Sequence, residues 1–536
     1  MVKYSCERCG NGFSQKSHYV SHNKRKTPCE NNSDKIKQVP PLGLRYAVVD
    51  RAVDEVNGGG SRRRRRSRPV TEEKMKELNT KISFHKTEQD FVMPFEPGSR
   101  NRGTATPKSL QGRSGSGPTL DDDYITLKTY YDTILNKDPK LVETSNDEPT
   151  PLDCVEEMIN KVPEDFWKKK DIKILDPCSG CGNFPLVIYF KLLQYHTKEH
   201  ILKHILYFND IKLNRINVLK SVFNSKLNIY QEDFMTFKIE CKFDLIVANP
   251  PYAKLLPNGK RASKNHNLIA SFINKSLGLL QAGGYLLYIT PDNWMTYSNR
   301  NVLILELTKL QIHYINIHIA KKYFKKIGSS FVWYLIEKTP SYKNIEIQGI
   351  WKNQLYTDLV KSEVRKYIPL YYNRIIQSIL SKTIDNKDII KFDVKTSSDL
   401  HRYTKKEFIS NEKTDVYKYK LIHTPKQTVW SSKPHKYQKG YKVFISTTSY
   451  YGTFVDNCGM TQSIAFIQCK NKEEAGVIDN VLKHPMYKFI NNICRYGNFN
   501  NIRILQHFPY CVSYDQVYKQ FDLTDKEIKL IEDNTS

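Results

Sequence analysis

No stretch of the 536 residues runs to the roughly 18 consecutive apolar residues that a membrane span needs, so no span is expected. The opening MVKYSCERCG has no apolar core of the signal-peptide kind, so secretion is not expected and an intracellular location is. Cysteines number 11, an odd count, which argues against a disulfide framework and for a reducing compartment with metal-bound and free thiols. Acidic residues are the minority: 56 Asp and Glu face 83 Lys and Arg, a net charge of +27. A surplus of that size points to an acidic partner, nucleic acid being the commonest. No internal repeat is present, which excludes a solenoid, and no G-x-G-x-x-G dinucleotide fingerprint occurs. The first 150 residues hold no acid-acid-lysine constellation of the nuclease kind, so DNA cleavage is not expected of this chain.

What is there falls into segments. Residues 1–33 form a small Cys/His unit. Residues 34–120 are polar and broken, with NGGGSRRRRRSRPV at Asn57 to Val70, a composition that cannot bury a core and reads as a basic, mostly disordered linker. The run Arg62 to Arg66 suits nuclear import or phosphate contact, or is a solvated charge run. Residues 121–340 alternate apolar strands with helical stretches, the pattern of an α/β domain. Residues 341–515 are irregular and rich in Tyr, Lys and Asn, and 516–536 read as a polar tail.

In YSCERCGNGFSQKSHYVSHNKRKTPC, two residues separate Cys6 from Cys9, twelve separate Cys9 from His22, and six separate His22 from Cys29. Two thiolates on a knuckle and two ligands from a following helix give Zn²⁺ a tetrahedral shell. The unit resembles a ββα zinc finger in which Cys29 replaces the second histidine, with His18 as the rival fourth ligand. Phe13 and Tyr19 take the two core positions, and a unit this short needs the metal to fold.

The central region reads as successive strands, each ending in polar residues. IKILDPCSGCGNF carries a strand at Ile172 to Leu175, then Asp176 and a turn with Gly180 and Gly182 before Phe184. Small residues let a ligand approach the backbone, and the carboxylate can neutralise a cation. HILYFND ends at Asn209-Asp210, where an acid commonly binds a ribose diol. LNIYQEDF ends at Asp233-Phe234, an acid and a ring able to hold a purine. DLIVANPPYAK then stops a buried strand with Asn249, Pro250, Pro251 and Tyr252, where two prolines cannot continue a ladder. Cys178 and Cys181 form a C-x2-C, but no second Cys/His pair lies near them in sequence, so cofactor packing is the better reading than metal.

The order DPCSGCGNF, ND, EDF, NPPY resembles the gamma-class, TaqI-type S-adenosylmethionine-dependent DNA adenine-N6 methyltransferases, over roughly residues 141–515. The resemblance implies a Rossmann-like class I methyltransferase domain, an α+β target-recognition domain at 341–515, and double-stranded DNA as substrate. It implies cofactor contacts from Thr150, Asp176, Gly180, Gly182, Phe184, Asp210, Asp233 and Phe234. Thr150 also reads as a helix N-cap with Pro151 at the first helical position, and Leu152, Val155, Met158 and Ile159 as one apolar face. An adenine amine is a poor nucleophile because its lone pair is delocalised. The Asn249 side-chain oxygen and the Pro250 carbonyl would accept its two hydrogens, the proline pair would aim that carbonyl, and Tyr252 would stack on a base flipped from the duplex. Phe324 is matched to a second stacking role, whereas Phe331 and Trp333 alternate on the next strand as core.

Related motifs also occur in enzymes that methylate RNA or a protein glutamine, and a binding protein with a decayed catalytic domain is the further alternative. The expectation is a monomer acting beside a separate cognate restriction endonuclease. The arginine run is compatible with a nucleus or with viral origin.

Overall fold

The computed structural model describes Tyr4–Ser5, Gly12–Phe13 and residues 117–142, 148–223, 228–252, 268–299, 301–324, 330–448 and 450–535. The chain divides into two units, Met1–Thr104 and Ala105–Ser536. In the first, Tyr4–Ser5 pairs antiparallel with Gly12–Phe13, Tyr4 opposite Phe13. Cys6, Cys9, His18, His22, Cys29 and the arginine run lie outside the described residues.

The second unit is built on a nine-stranded sheet. Its strands are β1 (Ile174–Asp176), β2 (Leu206–Asn209), β3 (Asn228–Tyr230), β4 (Phe243–Ala248), β5 (Leu280–Pro291), β6 (Leu310–Ile317), β7 (Phe331–Pro340), β8 (Ile345–Trp351) and β9 (Gln354–Val360). The spatial order is β9-β8-β6-β7-β5-β4-β1-β2-β3. Strands β3, β2, β1, β4 and β5 are mutually parallel; β7 inserts antiparallel between β5 and β6. The order reverses between β1 and β4, the switch point at whose carboxyl edge open α/β sheets bind ligands.

Side chains explain why the sheet is covered on both faces. Along β4, Leu245 and Val247 join one buried cluster and Ile246 and Ala248 the other, and β5 does the same with Leu287 and Ile289 against Leu286 and Tyr288. A strand buried on both faces reads as an unbroken apolar run. Each fully buried Leu, Ile or Val contributes about 1.5–3 kcal/mol. One face carries the helices α1 (Tyr124–Thr133), α2 (Leu152–Ile159), α3 (Asn183–Leu192) and α4 (Leu213–Phe223). The other carries α5 (Leu268–Leu279) and reaches without a break into the C-terminal residues Ile490, Leu505, Val517 and Ile531.

Several expected boundaries move. The sheet does not stop at residue 340, because β8 pairs with β6 and β9 with β8, carrying it to Val360. The expected polar tail is folded: Asp525–Glu532 is a helix with a Thr524–Glu527 capping box, and Ile531 is buried. Helix α2 begins at Leu152 with Pro151 in the N-cap position, so Thr150 precedes the helix instead of capping it. Its apolar face of Leu152, Val155, Met158 and Ile159 is buried as the periodicity predicts. β1 starts at Ile174 and includes Asp176. β3 ends at Tyr230, so Asp233 and Phe234 belong to the next turn, where the Asp233 side chain accepts from the Met235 N–H at 2.9 Å.

Beyond β9 the chain forms an α+β region with two four-stranded sheets. One orders Lys395–Thr396, Ile464–Gln468, Lys442–Ser446 and Thr453–Asp456; the other orders Ile409–Ser410, Gln427–Ser431, Tyr419–Thr424 and Gly459–Met460.

Candidate functional site

A cavity of about 500 Å³ opens beside the switch point. Among its lining residues are Thr150, Gly180, Phe184, Asp210, Asp233, Phe234, Asn249 and Pro251, drawn from five separate loops and α3. Asp176, Gly182, Pro250, Tyr252 and Phe324 are outside the lining.

The turn after β1 shapes the floor. Gly180 and Gly182 have φ of +57° and +97°, a backbone region costly for residues with a Cβ. At Gly180 a Cβ would meet no atom within 4 Å, so the backbone there borders open space. At Gly182 it would lie 2.8 Å from Leu219 and 2.9 Å from Phe223, so that glycine serves the packing of α4. The Ser179 N–H donates to the Asn209 carbonyl at 2.8 Å, and the Gly180 N–H to Asp210 Oδ2 at 2.9 Å, tying the turn to the end of β2. Asn209 itself is internal glue: its amide donates to the Pro177 and Glu232 carbonyls, and its oxygen accepts from the Glu232 N–H.

The acids differ. Asp176 is buried, its side chain accepting from the Cys178 N–H at 3.2 Å and its carbonyl from Ser179 Oγ at 2.9 Å, and burial raises its pKa well above the carboxylate range. Asp210 also borders the cavity; burial raises its pKa, opposed by the Lys212 and Gly180 N–H groups and by Arg215, whose Nη1 is 3.8 Å away. Asp233 is exposed at the rim. Phe234 is buried, its ring 5.1 Å from that of Phe272. The thiols of Cys178 and Cys181 are pushed up by burial, Cys181 to about 11, so both stay protonated. Among the described residues no group of three or more His, Cys, Asp or Glu is arranged to hold a metal.

Asn249 follows β4 directly. Its Nδ2 donates to Thr150 Oγ1 at 3.0 Å and to the Glu148 carbonyl at 3.3 Å. A carbonyl can only accept, so the amide orientation is settled and Oδ1 faces the other way. There it accepts the Tyr252 hydroxyl at 2.7 Å. The Tyr252 ring packs 5.9 Å from that of Phe331, and burial raises its hydroxyl pKa. Phe324 is 1% exposed and stacked on Phe331 at 4.5 Å, so its face is covered. Phe331 and Trp333 are core, as expected.

Sequence reading missed part of the wall. Leu135, Asn136, Leu141 and Val142, from the segment after α1, line the cavity, as do Lys212, Arg215 and Phe272. Arg215 holds that segment by donating from Nε and Nη2 to the Leu141 carbonyl at 3.1 and 2.7 Å. Asn136 Oδ1 is buried with no hydrogen-bond partner among the described residues. Nothing in the local text around Asn136 marks it as a site residue.

The lining is thus rich in acceptors, including the acids Glu148, Asp210, Glu232 and Asp233 and the Asn136 amide oxygen, beside aromatic surface. That set fits a cation bearing hydroxyls, amines and a flat ring, which is the chemistry of S-adenosylmethionine.

Known proteins resemble this segment. A Type II methyltransferase, M.VspI, from Vibrio sp. (strain 343) is 29% identical over 159 residues, 27% of this chain and 36% of the relative. A tRNA1(Val) (adenine(37)-N6)-methyltransferase from Flavobacteriaceae bacterium (strain 3519-10) is 35% identical over 78 residues, 14% of this chain and 34% of the relative. The chain therefore spans about a third of the length of these relatives. Among solved structures, a Listeria monocytogenes chain assigned to the class I S-adenosylmethionine-dependent methyltransferases aligns at 16% identity and a TM-score of 0.34, covering 42% of this chain and 72% of that one. Residues 161–324, which carry Asp176, Asp210 and Asn249, match the family model described as Eco57I restriction-modification methylase.

Proposed function

We propose that the protein transfers a methyl group from S-adenosylmethionine to the exocyclic N6 amine of an adenine flipped out of duplex DNA. The observation that carries this reading is the pinned Asn249 amide at the exit of β4, bordering the cavity at the switch point. Bound in the cavity, the cofactor would supply an electrophilic methyl group. Asp210 would accept from its ribose hydroxyls, Asp233 and Phe234 would hold its adenine, and Asn136 Oδ1 and Thr150 would serve its cationic portion, with Gly180 and Phe184 shaping the floor; Asp176 and Gly182, outside the lining, would support the turn from behind.

The chain's own residues prepare the nucleophile. Asn249 Oδ1 and the Pro250 carbonyl accept the two amine hydrogens and draw the nitrogen lone pair out of the ring. An amide oxygen has two lone pairs, so Oδ1 can retain the Tyr252 hydroxyl while accepting from an amine. Pro250 and Pro251 hold the carbonyl in place, since a proline's φ is fixed. Tyr252 stacks on the base once its ring leaves Phe331; Phe324 could join it only after its own ring is uncovered. Alignment of donor and acceptor carries the rate, with no strong general base needed before transfer.

DNA is preferred over other substrates because the matched family is one of restriction-modification methylases and the chain carries a net charge of +27. The α+β region beyond β9 would supply target recognition. Cys6, Cys9, His22 and Cys29 would hold a zinc ion in an N-terminal finger. A separate restriction endonuclease would be the companion activity. RNA is the second reading, favoured by the tRNA-modifying relative. Labelled cofactor offered with duplex DNA, tRNA and protein separates these: label in DNA supports the proposal, and label in tRNA or protein with DNA left unlabelled overturns it.

A further inference from the structure

Two loops remote in sequence meet at the sheet's carboxyl edge, and neither takes part in the chemistry above. One carries Thr447 and Tyr450 between Lys442–Ser446 and Thr453–Asp456. The other, residues 494–501, follows the helix Pro485–Ile493. Asn500 fastens them: its N–H donates to the Thr447 carbonyl at 3.0 Å and its side chain to the Ser446 carbonyl at 2.8 Å. The second loop is also fastened to the catalytic sheet, because the Asn501 amide donates to Thr296 Oγ1 at 3.1 Å and to the Tyr297 carbonyl at 3.0 Å. Thr296 and Tyr297 directly follow the short helix Asp292–Met295 at the carboxyl end of β5. β5 runs parallel to β4 with Tyr288 opposite Ala248, so the Asn249 turn leaves the sheet at this same edge.

This framework carries a cation and two exposed rings. The Arg495 guanidinium sits 5.2 Å from the Tyr450 ring centroid, within cation–π range. Tyr450 is 84% exposed and Phe499 is 64% exposed. Of the five N–H donors of Arg495, Nη2 reaches the Asn498 carbonyl at 3.1 Å, while Nε has no hydrogen-bond partner among the described residues. Exposed aromatics beside a guanidinium match the stack-and-clamp chemistry of nucleic-acid surfaces. The charge balance of the chain is of the matching sign.

We infer that Tyr450, Arg495 and Phe499 form a contact surface for duplex DNA beside the methylation site, Arg495 on a phosphate and the two rings against sugar and base edges. The inference rests on DNA being the substrate, and the test keeps the two apart. Binding of the full-length protein to a fluorescent mixed-sequence DNA duplex is followed by anisotropy across a salt series. Tyr450→Ser with Phe499→Ser should weaken binding tenfold or more. Arg495→Gln should weaken it and lower the log–log salt slope by about one, as loss of one phosphate contact does. Melting temperature and binding of S-adenosylhomocysteine should match the parent, which keeps a folding defect from imitating the result. If the variants bind and methylate DNA as the parent does, this surface is wrong while the proposed activity stands. If the parent binds no DNA and methylates tRNA instead, the substrate reading fails and the DNA surface falls with it.

Discussion

The hydroxyl of Tyr252 donates to Oδ1 of Asn249 at 2.7 Å, so the acceptor proposed for a substrate amine already holds a protein donor. The two residues stand three apart across Pro250 and Pro251, and the pair of rigid residues sets how the tyrosine folds back. Asn249→Ala should lower methyl transfer at least about a hundredfold, the scale of losing one aligned polar contact to a reacting group. Cofactor binding should stay near the parent value, since the substitution leaves Asp210, Asp233 and Phe234 in place. Tyr252→Phe keeps the ring and removes the hydroxyl, so stacking survives and kcat should fall far less than in Asn249→Ala. Steady-state kinetics with calorimetric cofactor titration checks both; equal loss of activity and cofactor binding in Asn249→Ala would contradict the role.

Thr150 acts through Asn249. Its Oγ1 accepts from the Asn249 amide, and its carbonyl accepts from Asn183 Nδ2 at 2.8 Å, so it links the start of α3 to the Asn249 turn. Thr150→Val, nearly the same shape without the acceptor, should reduce kcat about tenfold, the cost of one hydrogen bond of about 1.4 kcal/mol. Thr150→Ser should restore it. A loss in Thr150→Val that the serine does not rescue would point to packing.

Gly182 and Gly180 should behave differently. Gly182→Ala places a methyl group 2.8 Å from Leu219 at a φ of +97° and should destabilise the fold by about 3 kcal/mol. Gly180→Ala meets open space and should cost only about 1 kcal/mol of backbone strain. Urea unfolding of the two variants measures the contrast.

Stability should fall on acidification because of two buried histidines. His435 Nδ1 accepts from the Tyr437 N–H at 3.0 Å and its Nε2 pairs with Ser397 Oγ at 2.9 Å. Burial lowers it from 6.5 to about 4, with Lys436 and Lys442 adding to the effect and Asp399 opposing it. His484 Nδ1 accepts from the Met486 N–H at 3.3 Å and is likewise lowered by burial to about 4, opposed by Asp515. Between 6.5 and about 4 the unfolded chain binds protons that the folded chain refuses, so stability rises with pH through that window and is lost as pH falls through it. The urea midpoint should therefore be lower at about pH 5 than at about pH 7.5, and His435→Asn with His484→Gln should flatten the difference.

Chelation should act on the N-terminal unit alone. Removing zinc from Cys6, Cys9, His22 and Cys29 should unfold residues 1–33 while methyl transfer to free DNA persists. Loss of all transfer on chelation would show that the two units are not independent.

Much of the arrangement was legible in the chain because it is local. Apolar runs that stop at Asp176, Asn209-Asp210 and Asn249 announce parallel strands and their polar ends, and the two prolines after Asn249 declare a turn whatever surrounds them. Boundaries failed where a local pattern competes with packing. The amphipathic text at 525–532 is short and charged, and only its burial against the core makes it a helix worth forming. Strands β8 and β9 look like the start of another domain until the pairing of β8 with β6, and of β9 with β8, is seen.

The sequence by itself determined the chemistry on offer: which acids end which strands, and that an asparagine leaves β4 ahead of two prolines. Only the tertiary structure decided which way that asparagine faces, through Thr150 and Glu148 about a hundred residues upstream. It alone buried Phe324 on Phe331, brought Asn136 into the cavity wall, and set Arg495 over Tyr450. A side chain's hydrogen-bond partner is chosen by proximity in space, and chain order carries no trace of that until the core has closed.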